Sequence, residues 1–238
     1  ACVARCRTPV SNERVIQLFR RLGEVLARVH AAGIVCGDLN DANVLFRDVA
    51  VWLIDADSVQ FGAHPCVVAT EKYLDPRLYG SDLAARPMFD ATHDWYSFAV
   101  MLFSSLLYVH PYGCIHATLP TMLRRAEAGV SVLAPGVTYP KAAAPYGILP
   151  DDVLHWFTRV FDQGLREAMP AALLAMQFTK CTCGQEHARS RCPACATLGL
   201  AARAAAAVSH GRCRAQKVFA TTGRIVAAAV QGALKYVY

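Results

Sequence analysis

Asp38, Asn43 and Asp55 are the side chains whose types and spacing best suit chemistry in this 238-residue chain. Asp38 and Asn43 stand five positions apart in Gly37-Asp38-Leu39-Asn40-Asp41-Ala42-Asn43, and Asp55 follows in Leu53-Ile54-Asp55-Ala56-Asp57. Carboxylate and carboxamide oxygens are the hard donors magnesium prefers, and a carboxylate beside an accepting hydroxyl can take its proton. The set points to chemistry on a nucleotide phosphate, with a base and two magnesium ligands. Apolar runs bracket all three residues, which puts them at the mouths of short buried strands. Taken singly, each is also an ordinary turn-forming or strand-end residue.

A second constellation is Cys181-Thr182-Cys183-Gly184 followed by Arg191-Cys192-Pro193-Ala194-Cys195. Four thiolates in two knuckles can close a tetrahedron around zinc, and Gly184 and Pro193 let each knuckle turn tightly. A closed four-ligand site is structural. The C-x-C half is tighter than the usual knuckle, and His187 is an alternative fourth ligand. Two disulfides, unliganded thiols, or a redox role for Cys192 and Cys195 are the other readings of the same spacing.

The elements that must position these groups are legible from periodicity. Val15, Leu18, Phe19, Leu22, Leu26 and Val29 recur at three- and four-residue steps, which predicts an amphipathic helix from Asn12 to Ala32, capped by Ser11 or Asn12 and ended by Gly33. Ile34–Val35, Val44–Phe46 and Val51–Ile54 read as short strands, with the polar groups in the loops between them. Asp94 is expected to open a helix, Trp95 to Tyr108, that is apolar on nearly every side and therefore central. Further helices are expected at about 119–128, 151–163 and 170–178. Beyond the cysteines, Lys217–Thr222, Arg224–Val230 and Ala233–Tyr238 read as the opening strands of a β-meander.

With these residues in view, His30-Ala31-Ala32-Gly33-Ile34-Val35-Cys36-Gly37-Asp38-Leu39-Asn40-Asp41-Ala42-Asn43-Val44-Leu45 resembles the catalytic loop of the C-terminal lobe of eukaryotic-like protein kinases, whose pattern is H-R-D-L-K-P-x-N. The resemblance implies that Asp38 is the catalytic base, Asn43 one magnesium ligand and Asp55, in the place of the D-F-G aspartate, the other. It implies that Asp94, opening Asp94-Trp95-Tyr96-Ser97-Phe98-Ala99, braces the loop backbone, and that Thr70-Glu71-Lys72-Tyr73-Leu74-Asp75-Pro76 ends an activation segment. Arg166 resembles the arginine that pairs with the glutamate of A-P-E. The likeness spans roughly residues 12 to 178, and its G-D-L-N-x-x-N form is similar to that of bacterial, often multidomain, kinase-like proteins.

The departures carry expectations of their own. Cys36-Gly37 replaces His-Arg, so an activation-segment phosphate lacks its usual partner. Asn40 replaces the catalytic loop's lysine, Ala56-Asp57 replaces Phe-Gly, and Arg77 stands where the family has glutamate, so a bridge from there to Arg166 cannot form. No glycine-rich phosphate loop or strand lysine is seen, so the N-terminal lobe is expected to be missing from this piece of a longer polypeptide, leaving it inactive alone.

The resulting expectation is an α+β, mostly α fold: a kinase-like C-terminal lobe over 1–178, zinc-ribbon-like knuckles over 179–198, and a linker with a truncated β-meander over 199–238. Its function would be that of a Ser/Thr-type protein kinase using ATP and Mg2+, with structural Zn2+. Its partners would be a protein substrate, nucleotide and the missing lobe. The alternatives are a pseudokinase or scaffold without turnover, and a small-molecule phosphotransferase of the aminoglycoside or choline type. A net charge of +6 is too dispersed to argue nucleic-acid binding, and the apolar run from Ser97 to Val109 is too short for a bilayer. Scattered thiols without a signal peptide fit the reducing cytoplasm. His30 and His110 read as packing residues, Cys36 as a buried filler or reactive thiol, Arg124 and Arg125 as a solvated face or docking pair, and Ser58, Thr70 and Tyr73 as candidate phosphorylation sites.

Overall fold

The computed structural model describes residues 10–197, 227–231 and 233–237. It divides into two compact units, Ala1–Thr197 and Leu198–Tyr238. The architecture is α+β, predominantly helical, with two-stranded sheets. None of the helices among the described residues is long and apolar enough to cross a membrane.

Helix α1 (Asn12–Ala31) starts where the Ser11 hydroxyl accepts the Arg14 N–H at 3.3 Å. It stops at Ala32, after which Gly33 takes a φ of +75°, the left-handed turn that glycine adopts without steric cost. Its apolar positions face inward and Arg20, Arg21 and Arg28 face out. Two hairpin-like pairs follow. Strand β1 (Ile34–Val35) pairs antiparallel with β4 (Gln60–Phe61), and β2 (Val44–Arg47) pairs antiparallel with β3 (Ala50–Leu53). Strand β4 was not legible in the sequence, because two residues carry no periodicity.

Helix α2 (Ala91–Leu107) begins one turn earlier than Asp94. Asp90 is the cap: its Oδ1 accepts the Thr92 N–H while its own N–H donates to His93 Nδ1. That reciprocal pair satisfies the first free donors of the helix and leaves the Asp94 carboxylate free for other partners. Only Ala91, Thr92 and Trp95 of this helix escape full burial. Phe98, Leu102, Phe103 and Leu106 have no exposed area. Phe103 meets Phe157 edge-on at 5.0 Å, on α4 (Asp151–Asp162). Each such side chain contributes about 1.5–3 kcal/mol of burial free energy.

Helix α3 (Met122–Glu127) is shorter than its pattern indicated, and so is α5 (Ala171–Leu174). The chain leaves α5 early because the Phe178 N–H donates to the Glu13 carboxylate at 3.0 Å and strand β5 (Thr179–Lys180) begins at once. Strand β5 pairs antiparallel with β6 (Glu186–His187). The cysteine segment belongs to the first unit, so the expected boundary after residue 178 falls inside it. The Asn12 N–H donates to Glu186, the Ala188 N–H donates to the Ile148 carbonyl, and Arg189 pairs with Asp151. In the second unit β7 (Ala227–Gln231) and β8 (Ala233–Val237) form an antiparallel hairpin. The expected strand at Lys217–Thr222 lies outside the described residues.

A buried ion pair joins distant parts of the first unit. Arg166 meets the fully buried Asp75 carboxylate through two nitrogens, at 2.6 and 3.1 Å. Arg77 joins the same carboxylate at 3.0 Å. Arg77 cannot be the acid that Arg166 needs, and the acid stands two positions earlier instead. Burial pushes the Asp75 carboxyl up, but Arg166 and then Arg77 outweigh it and hold the group below its ordinary value. Arg125, read as solvated, is also buried: it donates to the carbonyls of Tyr112 and Leu119. His110 donates from Nε2 to the Lys72 carbonyl and accepts the Tyr112 N–H at Nδ1. Both ring nitrogens are therefore matched in the neutral form, and burial lowers the group to about 4.

Replacing Asp75 with Ala leaves a buried guanidinium unmatched and should cost about 3–5 kcal/mol, read as a drop in the urea midpoint. Acid should destabilise the lobe in two stages. As pH falls below the unfolded histidine value near 6.5 towards about 4, the unfolded chain takes up a proton that folded His110 refuses, so stability falls. Below about 4 the unfolded aspartate protonates before Asp75 does, and stability falls further. Urea midpoints across pH 7 to 3 check this, and His110→Gln should flatten the upper stage alone.

Candidate active site and metal centre

The site is assembled around Asp94, which has no exposed area. One carboxylate oxygen accepts the Cys36 N–H at 2.8 Å and the other accepts the Gly37 N–H at 2.9 Å. His30, in the last turn of α1, contributes a third bond at 2.8 Å. His30 is thus more than a packing residue: it joins the end of α1 to the start of α2. A charge taken out of water is tolerable only with such partners, so the carboxylate fixes where the loop backbone must lie.

Gly37 occupies left-handed space, with φ +70°, and a Cβ there would lie 2.6 Å from Cys66 Sγ. A side chain at this position would be both strained and blocked. Cys36 is buried, and its thiol is pushed far up by burial first and then by the Asp94 charge. Both effects favour the protonated thiol over the nucleophilic thiolate.

Beyond the glycine the loop is tied from within. Asn40 is 4% exposed. Its Nδ2 donates to the Asp38 carbonyl and to Thr70 Oγ1, both at 3.1 Å, and its Oδ1 accepts the N–H groups of Ala42 and Asn43. Asn43 Nδ2 also donates to the Asp38 carbonyl, at 3.1 Å, which leaves its Oδ1 as an unengaged acceptor among the described residues. The Thr70 N–H donates to Asp38 Oδ1 at 2.7 Å. Thr70, expected only as the start of the segment ending at Pro76 and as a modification candidate, meets Asp38 and Asn40 across 32 and 30 positions of chain that no local pattern links. Ser58 and Tyr73 are buried, a poor position for modification.

Asp55 follows β3 in left-handed space, with φ +65° and ψ 54°. Non-glycine residues rarely adopt this conformation, and it clusters at functional positions. The Ser58 hydroxyl and N–H both donate to the Asp55 carbonyl and hold it there. The exposed Asp55 carboxylate takes no hydrogen bond among the described residues. Asp38, Asn43 and Asp55 line a single cavity of about 230 Å³, with Val29, Ile34, Leu39, Leu53 and Ile54 as its apolar walls. Neither Asp94 nor Asn40 lines it.

The second site lies at the β5–β6 hairpin. The ligand atoms of Cys181, Cys183, Cys192 and Cys195 all fall within 4.8 Å of one another. The pairs Cys181–Cys195 and Cys183–Cys192 are each 3.6 Å apart. Tetrahedral zinc with Zn–S bonds of about 2.3 Å requires sulfurs roughly 3.8 Å apart, so the donor set fits such an ion. Thiols this close cannot titrate independently. The Cys183 N–H, then the Cys195 thiol, draw Cys181 down to about 6, while Cys181 pushes Cys195 up to about 12. His187 is not in this group: it is buried on β6 and its Nδ1 accepts the Arg189 N–H.

No protein-family model matches the chain, and no curated protein is significantly similar to it in sequence. The metal centre is open to direct measurement. Elemental analysis should find about one equivalent of zinc per chain, and Cys192→Ser should lower it sharply, because a structural site needs all four ligands. A folded, metal-free chain that takes up no added zinc is the contrary result.

Proposed function

We propose that residues 1–178 belong to the C-terminal, catalytic-loop-bearing lobe of an ATP- and Mg2+-dependent protein kinase of the Ser/Thr type. The observation that carries this reading is the convergence of Asp38, Asn43 and Asp55 on one cavity while the buried Asp94 holds the backbone immediately before Asp38. The donor set fits magnesium: Asn43 Oδ1 and the Asp55 carboxylate are both hard oxygens with no other partner among the described residues. When bound, magnesium neutralises the phosphate charge and aligns the transferring group.

The chain's own groups do the remainder. Asp38 has one carboxylate oxygen tied to the Thr70 N–H, so the other is aimed by that bond and can hold a substrate hydroxyl and take its proton. The Asn40 bonds keep Asp38 and Asn43 at a constant separation, which is positioning achieved before substrate arrives. The cavity is small for a whole nucleotide and would take its phosphate end. The exposed apolar face of the β2–β3 hairpin, with Leu45 opposite Trp52 and Ile54 beyond, would lie under the base.

One observation favours a rival reading, in which nucleotide is bound without turnover. Asn40 is buried and fully engaged, so this position supplies no cation to the transferring phosphate. Phosphate incorporation by the polypeptide as its gene encodes it separates the two readings. The kinase reading expects labelled protein product and a loss of about a hundredfold or more in Asp38→Asn, which removes the base. Incorporation no higher than in that variant, with Mg–ATP binding intact, would leave only the binding module.

A further inference from the structure

We propose that the cysteine centre is an oxidant-sensitive modification site, in which peroxide-class oxidants convert the four thiolates into two specific disulfides, Cys181–Cys195 and Cys183–Cys192, with release of the metal. The proposal rests on the metal reading of these cysteines and not on the phosphotransferase reading.

Three observations carry it. The first is access. Cys183 and Cys195 are exposed and Cys181 is half-buried, whereas Cys36, Cys66 and Cys114 are enclosed in the lobe. Among the cysteines of the described residues, an oxidant in solvent meets the knuckles first. The second is pairing. All four ligand atoms lie within 4.8 Å, and the two sulfur pairs already in hydrogen-bond contact, at 3.6 Å each, run across the two knuckles. A bond within a knuckle, such as Cys192–Cys195, is the competing outcome. A disulfide needs its sulfurs about 2.05 Å apart, so each cross pair must close by only about 1.5 Å.

The third is anchorage. The hairpin is held to the lobe by Glu186 on the Asn12 N–H, by the Ala188 N–H on the Ile148 carbonyl and by Arg189 on Asp151. None of these bonds needs the metal, and both cross-links join the hairpin to the second knuckle, as the metal did. The oxidised centre therefore remains stapled in place and can be reduced again.

The chemistry balances in each pair. One thiolate attacks a peroxide oxygen, the O–O bond breaks, and a sulfenic acid and one water result after proton uptake. The neighbouring thiolate attacks that sulfur, the S–O bond breaks, and the oxygen leaves as a second water after a further proton is taken up. Two electrons pass from the sulfur pair to one peroxide, so two peroxides consume four thiolates and leave no ligand for the zinc.

The test uses purified zinc-loaded protein titrated with hydrogen peroxide. Released zinc is followed with a chromogenic chelator, and disulfides are mapped by proteolysis and mass spectrometry after alkylation. The expected result is one equivalent of zinc released as the four knuckle thiols disappear, with Cys181–Cys195 and Cys183–Cys192 as the linked peptides. Reductant plus zinc should restore the starting metal content. Cys195→Ser should yield the Cys183–Cys192 bond alone. A Cys192–Cys195 bond, zinc retained through excess peroxide, or loss of the Cys36, Cys66 or Cys114 thiol before the knuckles overturns the proposal. Protein that never binds zinc overturns the metal reading itself, and is recognised before any oxidant is added.

Discussion

A single buried carboxylate sets the geometry of the first unit. Asp94 has no solvent contact, so its charge has to be met by donors brought to it, and the donors come from two separate stretches of chain: the end of α1 and the loop after β1. Its place in the first turn of α2 adds the favourable end of the helix dipole. The early cap at Asp90 makes this possible. Were Asp94 itself the cap, its oxygens would face the α2 backbone and the loop would lose its anchor. Everything proposed about the cavity therefore depends on a helix starting one turn before its apolar pattern announces it.

The loop held by Asp94 is stiffened by side chains that never reach the cavity. Gly37 lets the backbone pass Cys66 in a conformation denied to larger residues, and Asn40 fills the interior of the following turn with four hydrogen bonds. Such a loop holds its polar tips in place without needing a ligand to order them. The same choice has a chemical consequence. A lysine at position 40 would have to carry its charge outward, whereas Asn40 turns inward and matches backbone groups. Asn40 gives this turn rigidity and adds no charge to it.

Much of this was legible in the sequence, for reasons particular to each element. Helices α1 and α4 carry long, strongly periodic apolar faces, and their ends match the pattern closely. Asp38, Asn43 and Asp55 stand out in the sequence because spacing and residue type coincide within about twenty residues, and the fold brings all three to one cavity. What was missed depends on contacts the local pattern does not encode. Strand β4 exists because β1 needs a partner, not because Gln60–Phe61 reads as a strand. Asp75 takes the place expected of an acid at position 77, because a long guanidinium at 166 can reach either. Arg125 looked solvated beside Arg124, yet a helix presents neighbouring residues to different sides, and only Arg124 faces water.

Helix α1 connects the two chemical regions of the unit, and its two ends do different work. Its first residues are bound to the cysteine hairpin through Asn12 and Glu13. Its last turn supplies His30 to Asp94. Twenty helical residues separate these ends by about 30 Å, and between them Val15, Ile16, Leu22 and Leu26 are locked into the core with almost no exposure. A disturbance at the hairpin removes a few bonds from a helix that its buried face continues to hold. The hairpin therefore acts on the lobe chiefly through the stability of the α1 and α4 starts, while the Asp94 brace answers to the core around α2. The two sites share a scaffold without sharing a switch.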